Sequence, residues 1–350
     1  CDDMSALGAH LLTHLSGPSI IFEYVQTTGS PLLTFSCSDT QGPLLLSPDT
    51  LEKDAMTTGN TSSQVLDEAT TTANSAIVMS DDRQAIVELD PDHPGFRDVA
   101  YRERRNKIAQ IAVEYEPGTP VPDAPYIEEE HQVWQTVWEG LQPAHQKYAC
   151  SEYLTYVSAL DLPKERIPQL REVSEKVQQI SGFRLEPVGG LVQPKVFLST
   201  LGQGVFLSTQ YIRHYSTPLY TPEPDVVHEL IGHAGVLASP KFAELNRLVG
   251  EAASRTETDE EIERLGRVYW YTVEFGVLRE EGVVKAYGAG LLSSYGELEA
   301  MNKAELRPFD VEAMQALPYD VTQYQPVLFC ADSFDEMYNT LHDFLSNWKV

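Results

Sequence analysis

The stretch that most constrains this chain runs from Tyr220 to His233 and reads Tyr-Thr-Pro-Glu-Pro-Asp-Val-Val-His-Glu-Leu-Ile-Gly-His. Imidazole and carboxylate at close spacing are what a first-row transition metal requires. In the zinc-protease string His-Glu-x-x-His the histidines are four residues apart, about 40° around a helix. Here His228 and His233 are five apart, which on an ideal helix separates them by about 140° and about 7.5 Å. They share one ion only where the helix loosens or ends. Gly232 stands where such a break would fall, because glycine tolerates backbone angles that other residues resist. The pattern predicts a helix led by Pro222 and Pro224, with His228 inside it and His233 at its frayed end. Without a metal, the same histidines are two ordinary core or surface side chains.

Length and composition narrow the setting. The chain has 350 residues and 42% apolar content, enough for one large catalytic domain plus a tail or small module. No run approaches the ~18 consecutive apolar residues that span a bilayer. Cys1, Cys37, Cys150 and Cys330 are scattered, against both a disulfide framework and a cysteine zinc site, so a reducing, cytoplasmic location is expected. Asp and Glu number 52 against 25 Lys and Arg, a balance of −27. That field repels nucleic acid and anionic membranes, and neither is expected as a partner. A chain that opens on Cys1 is expected to be processed or a fragment.

Residues 1–80 read as an N-terminal extension, either flexible or a degenerate regulatory module. Ser19–Val25 and Pro31–Cys37 are strand candidates, whereas 56–75 is rich in Thr, Ser, Asn and Gly and reads as a linker. Residues 81–350 read as one large catalytic domain. A helix is expected from Asp98, with Val99, Arg102, Ile108, Ile111, Ala112 and Tyr115 in its pattern and Arg102 to Arg105 on the wet side. Further helices are expected at 127–147, 151–159, 167–180, 240–253, 259–281 and 332–348. The glycine-broken run 182–209 suits short strands and loops. The fold class is therefore mainly α with small β elements.

A metal site needs a third ligand. Glu274 is a lone carboxylate in an apolar and aromatic helical run, where a charge is costly unless paired or metal-bound; an exposed glutamate is the alternative. Two histidines and one carboxylate make the facial triad of non-haem iron(II) oxygenases. Zinc hydrolases use the same ligand types, and Glu229 would then be the general base on a metal-bound water.

Four motifs in order carry a specific resemblance: Thr209-Gln210-Tyr211-Ile212-Arg213-His214, the Tyr220–His233 stretch, Tyr269-Trp270 through Glu274-Phe275-Gly276, and Lys285 through Leu298. Together they resemble the pterin-dependent aromatic amino acid hydroxylases, most closely the phenylalanine hydroxylases, over about His93 to Trp348. The resemblance implies the catalytic-domain fold of that family, with iron(II) held by His228, His233 and Glu274. Asp225 would orient His228. Arg213 would take the substrate carboxylate as a bidentate pair, with Thr221, Pro222, Trp270, Phe275, Gly290 and Ser293 around the amino acid. Gly190, Val192 and Phe197 would hold a reduced pterin such as tetrahydrobiopterin, with Glu229 and Tyr269 as catalytic groups facing the same space and O2 as co-substrate.

The implied reaction is hydroxylation of L-phenylalanine to L-tyrosine. Trp270 resembles the phenylalanine and tyrosine enzymes, and Val321 resembles the phenylalanine enzymes, where tyrosine hydroxylases carry an acid. A preference for tyrosine or tryptophan is the first alternative. The zinc hydrolase is the second, and a binding protein that kept the fold without the chemistry is the third. No C-terminal oligomerisation arm follows Trp348, which favours monomer or dimer over tetramer.

Overall fold

The computed structural model describes residues 20–25, 32–37, 85–86, 88–219, 221, 223–321 and 323–348. The expected linker at 56–75 lies outside the described residues, as do Tyr220 and Pro222. The chain divides into two compact units, Cys1–Leu66 and Asp67–Val350. In the first, β1 (Ile20–Val25) and β2 (Leu32–Cys37) pair antiparallel, matching both strand candidates. The second unit carries the chemistry.

Helix α1 (Val99–Glu114) starts where the Asp98 carboxylate accepts the Tyr101 N–H, the short polar acceptor that a helix start needs. Its inward face differs from the expected one. Val99 is 56% exposed while Arg105 is 2% exposed. Nε and Nη2 of Arg105 donate to the two Glu223 oxygens, each at 3.1 Å, and its guanidinium lies 4.2 Å over the Tyr211 ring. A charge is tolerated inside when it is paired and hydrogen-bonded, and helical periodicity is blind to a partner 118 residues away.

Helix α2 (Glu128–Tyr148) opens on Glu128, Glu129 and Glu130, which suit the positive end of the helix dipole. It buries Val133, Trp134, Val137 and Leu141. The Trp134 indole N–H reaches the Pro163 carbonyl, so this tryptophan is core, as its spacing implied. Helices α3 (Ser151–Ala159) and α4 (Leu170–Ser181) follow, the latter stopped by Gly182 at φ +80°, a left-handed cap that glycine supplies without strain. Strands β3 (Arg184–Pro187) and β4 (Val205–Ser208) pair in parallel, linked through α5 (Pro194–Leu201).

Three helices come next: α6 (Ala234–Leu237), α7 (Pro240–Arg255) and α8 (Asp259–Tyr269). The helix expected over 259–281 stops early, because β5 (Val277–Glu280) turns through Glu281 and Gly282 into β6 (Val283–Ala286). Gly276 marks the change: a Cβ there would collide with the Tyr287 ring and the Thr272 carbonyl. The remaining elements are α9 (Ala289–Leu292), α10 (Tyr295–Ala300), β7 (Glu305–Pro308), α11 (Val311–Ala316), β8 (Val327–Ala331) and α12 (Phe334–Ser346). The four-stranded sheet has the order β6-β5-β8-β7. One apolar core joins residues from Tyr115 to Trp348; helices dominate and the sheets are small. Among the described residues no helix is long and apolar enough to cross a membrane.

Candidate active site

Both ends of the metal-ligand set sit on widened helical turns. His228–His233 is a π-helical turn, entered from Val226 and Val227 and continued by α6. In it the Ala234 N–H bonds the Glu229 carbonyl. Trp270–Glu274 is a second such turn at the end of α8, where the Phe275 N–H bonds the Trp270 carbonyl at 2.9 Å. Five residues per hydrogen-bonded loop, rather than four, return the fifth residue to the face of the first. His233 is therefore not at a frayed end, and the five-residue spacing is met by widening the helix. Gly232 does not break it either. Its missing Cβ admits the Ala289 carbonyl, which would lie 2.7 Å from an added methyl.

The geometry of the three side chains is compact. Nε2 of His233 is 3.0 Å from Nε2 of His228 and 3.0 Å from Oε1 of Glu274. The His228 Nε2 to Glu274 Oε2 distance is 3.6 Å. Ligands about 2.1 Å from one ion lie about 3.0 Å apart at right angles and about 3.4 Å apart at the tetrahedral angle. Two of the three edges have the right-angled spacing, so the donor set suits an octahedral ion held on one face. Among the described residues this is the one group of three His, Cys, Asp or Glu side chains arranged to hold a metal.

At His228 and Glu274 protonation suits that role; at His233 a metal ion has a proton to displace. Burial, then the neighbouring His233, lowers His228 to a pKa of about 4, which leaves a neutral imidazole. Burial works against ionisation of Glu274, but His233 beside it outweighs this and holds the carboxyl below its usual range. Burial likewise opposes charge on His233, and Glu274 raises it. The tautomer of His228 is fixed from behind. Ser293 Oγ donates to the Ala289 carbonyl at 2.8 Å and lies 2.9 Å from His228 Nδ1. A hydroxyl has one proton to give, so Nδ1–H donates to Oγ and the Nε2 lone pair faces Glu274 and His233.

Asp225 does not orient the His228 ring as expected. Its carboxylate accepts from Arg213 Nε and Nη2 at 2.8 and 2.7 Å and from the Arg213 N–H at 2.8 Å. It touches His228 only through the backbone N–H, at 3.2 Å. The group on the His228 ring is Ser293, which the resemblance had placed around the amino acid. Both partners of the Arg213–Asp225 pair are almost wholly buried. One bidentate edge of the guanidinium is thus taken, and Nη1 also donates to the Pro218 carbonyl at 3.4 Å, which leaves one hydrogen each on Nη1 and Nη2 for a further acceptor.

A cavity of about 340 Å3 opens beside the triad. It is lined by every expected site residue except Asp225, which lies behind Arg213, and Pro222, which is outside the described residues: Gly190, Val192 and Phe197, then Arg213, Thr221 and Glu229, then Tyr269, Trp270, Phe275, Gly290 and Ser293, with the three putting their donor atoms together. Phe197 meets Tyr269 edge-on at 6.0 Å. Burial pushes Glu229 up to about 8 while it accepts from the Thr209 N–H and hydroxyl. Burial and the Glu274 and Glu229 carboxylates keep the Tyr269 phenol protonated. Gly290 makes room for Phe275, whose ring would lie 2.7 Å from an added Cβ. Sequence reasoning missed Tyr319, which stacks on Trp270 at 4.2 Å and 9°, and Glu297 on the same wall. Tyr319 stands two residues before Val321, the one residue of that stretch singled out in the sequence.

The profile of the family described as biopterin-dependent aromatic amino acid hydroxylase matches residues 74–349. The chain belongs to that family. It is 44% identical to a phenylalanine 3-hydroxylase of Streptomyces coeruleorubidus over 72% of this chain and 90% of that protein. It is equally identical to a bovine tyrosine 3-monooxygenase over 74% of this chain, and spans 54% of that longer protein. A crystal structure of Chromobacterium violaceum phenylalanine hydroxylase with bound iron(III) and 7,8-dihydrobiopterin superposes with a TM-score of 0.63 at 28% identity, covering 69% of this chain and 89% of that one. Family membership accounts for the fold and for the class of chemistry, oxidation of an aromatic amino acid with a pterin, and stands against the zinc hydrolase.

Proposed function

We propose that this chain is an iron(II)- and tetrahydropterin-dependent monooxygenase converting L-phenylalanine to L-tyrosine, with His228, His233 and Glu274 as the iron ligands. The observation that carries the reading is the triad's place on the wall of one cavity whose other walls are aromatic at Trp270, Phe275 and Tyr319 and cationic at Arg213. Iron(II) with the reduced pterin supplies the activation of O2; the protein's part is placement, dryness and proton control. The catalytic domain is assigned to 81–350, with 1–80 as an extension.

The Nη1/Nη2 edge of Arg213 takes the substrate carboxylate as a second bidentate pair, beside Thr221. Asp225 keeps the guanidinium from turning away. The substrate ring lies against Trp270 and Phe275, with Gly290 leaving the space that a methyl would fill. Val321 at the same cavity offers no polar partner for a ring hydroxyl, which favours phenylalanine over tyrosine. An apolar pocket discriminates a bare ring from its hydroxylated form by only about 100-fold. The pterin lies between Phe197 and the Gly190–Val192 segment. Glu229 and Tyr269 face it in their protonated forms near neutral pH, Tyr269 holding its proton at Oη. Ser293 holds His228 in the tautomer that leaves Nε2 available.

Protein loaded with iron under anaerobic conditions, then given phenylalanine, air and tetrahydropterin, is expected to form para-tyrosine, and to form none without the pterin. Separating para-tyrosine from meta-tyrosine and from dihydroxyphenylalanine decides ring position and substrate. Meta-tyrosine as the main product, or faster turnover of tyrosine, overturns the finer reading; no pterin-dependent hydroxylation overturns the reading altogether. Glu274→Gln is expected to weaken iron binding while the fold stays intact.

A further inference from the structure

The segment Tyr319–Gln325 forms one wall of the cavity: Tyr319, Val321, Gln323 and Tyr324 all line it. Its described residues form no helix or strand, so side chains must hold it. Gln325, at 6% exposure, does not line the cavity. Its side chain bonds in two directions. Oε1 accepts the Trp270 indole N–H at 2.9 Å, and Nε2 donates to the carbonyls of Asp320 and Gln323 at 3.0 and 3.1 Å. Its backbone N–H points at Glu297 Oε2, 3.4 Å away. Next to it the Tyr324 hydroxyl packs so closely against Gly296 that a Cβ there would displace the ring. Tyr319, at the loop's other end, lies flat on the indole face.

We propose that Gln325 is a positioning residue for substrate selection, a clasp that sets the angle of the Trp270 indole and closes the Tyr319–Tyr324 loop over the amino acid side of the cavity. The proposal rests on the reading of Trp270 as the surface that meets the substrate ring. The indole is pinned at three places: its N–H edge by Gln325, one face by Tyr319, and its flank by Phe275 at 4.6 Å. Only the first is a directed bond; Tyr319 also joins the ring to the loop, but by stacking alone. An amide is the residue type the position demands, since one group must accept from the indole while the other donates to two carbonyls. Glutamate keeps the acceptor and loses the donors; methionine keeps length and loses both.

The test uses the iron-loaded full chain with Gln325→Met and Gln325→Glu. Loss of one buried hydrogen bond at a ring-orienting contact is expected to raise the amino acid KM of the Met variant about tenfold. The pterin KM is expected to stay within about twofold, because Phe197 and Gly190 lie elsewhere in the cavity. The Glu variant, which keeps the indole bond and loses the two to the loop carbonyls, is expected to recover part of the amino acid KM. A second readout needs no turnover: the indole N–H band in ultraviolet resonance Raman, with the Trp270 share isolated by difference against Trp270→Phe, is expected to lose its hydrogen-bonded position in the Met variant and keep it in the Glu variant. An unchanged Trp270 band in the Met variant overturns the clasp. So does a shifted band with unchanged amino acid KM, or a Glu variant indistinguishable from Met. Wild-type protein that hydroxylates no aromatic amino acid overturns the proposed function instead, and the Raman comparison then decides the clasp by itself.

Discussion

Replacing Gly232 by alanine tests how the two halves of the metal site are joined. The added Cβ would sit 2.7 Å from the Ala289 carbonyl oxygen and 3.2 Å from its carbon. Ordinary contact begins near 3.4 Å, so the widened turn and α9 must part by about 0.7 Å. Ser293 follows directly on α9. Displacing it by that amount stretches its 2.9 Å contact with His228 Nδ1 to about 3.6 Å, outside hydrogen-bonding range. Overpacking costs about 1–3 kcal/mol and the lost bond about 1 kcal/mol more. For a unit of this size that lowers Tm by several degrees, on the order of 2–4 °C per kcal/mol. Losing the group that orients a ligating histidine costs about 10- to 100-fold in metal affinity. Calorimetry and iron titration against a competing chelator read the two effects. Native iron affinity with Tm unchanged to about 1 °C would show that α9 does not set the His228 ring.

Three further outcomes follow from the same structure. Gly266→Ala, within α8 and with nothing within 4 Å of the new Cβ, is expected to stabilise by about 0.4–1 kcal/mol, seen as a higher Tm; a fall would refute the open space at that face. Arg105→Met leaves the buried Glu223 carboxyl without its guanidinium and is expected to cost about 3–5 kcal/mol in denaturant unfolding, with Glu223→Gln added to it restoring part. Burial holds His93 and His145 at pKa values of about 4, so the unfolded chain takes up protons near 6.5 where the native one does not. Stability is then full above about pH 6.5 and falls toward pH 4, by up to about 3 kcal/mol per group. A Tm series from pH 7.5 to 4.5 reads the slope, and His145→Gln, which can still donate to the Leu292 carbonyl that His145 Nε2 contacts, is expected to flatten it.

Legibility divides along sequence distance. Helix α3 and the start of α2 are visible in the chain because capping residues and apolar spacing are local signals. The ligands His228, His233 and Glu274 are visible because metal chemistry restricts residue types. Arg105 was misplaced on the wet side because its partner is far away in sequence, and Ser293 was given to the substrate because nothing near it names His228. The strand β5 was read as helix: Val277 to Glu280 continues an apolar helical pattern, and only the crowding at Gly276 by Tyr287 and Thr272 ends it. The widened turns were invisible for a different reason. An extra residue in one loop of a helix has no composition of its own, so the five-residue spacing announced a problem without its solution.

Those turns have a consequence for how such a site arises and is lost. Each differs from an ordinary helix by one residue of chain. Removing a single residue between His228 and His233 would let the backbone revert to i→i+4 bonding and leave the two histidines four apart, about 40° around an ordinary helix. The helix would lose nothing as a helix, and the pair would still share a face, but without the widened turn that seats Gly232 against the Ala289 carbonyl. The widened turn is thus encoded in the count of residues as much as in their identity, and insertion or deletion, more than substitution, is the kind of change that makes or erases it.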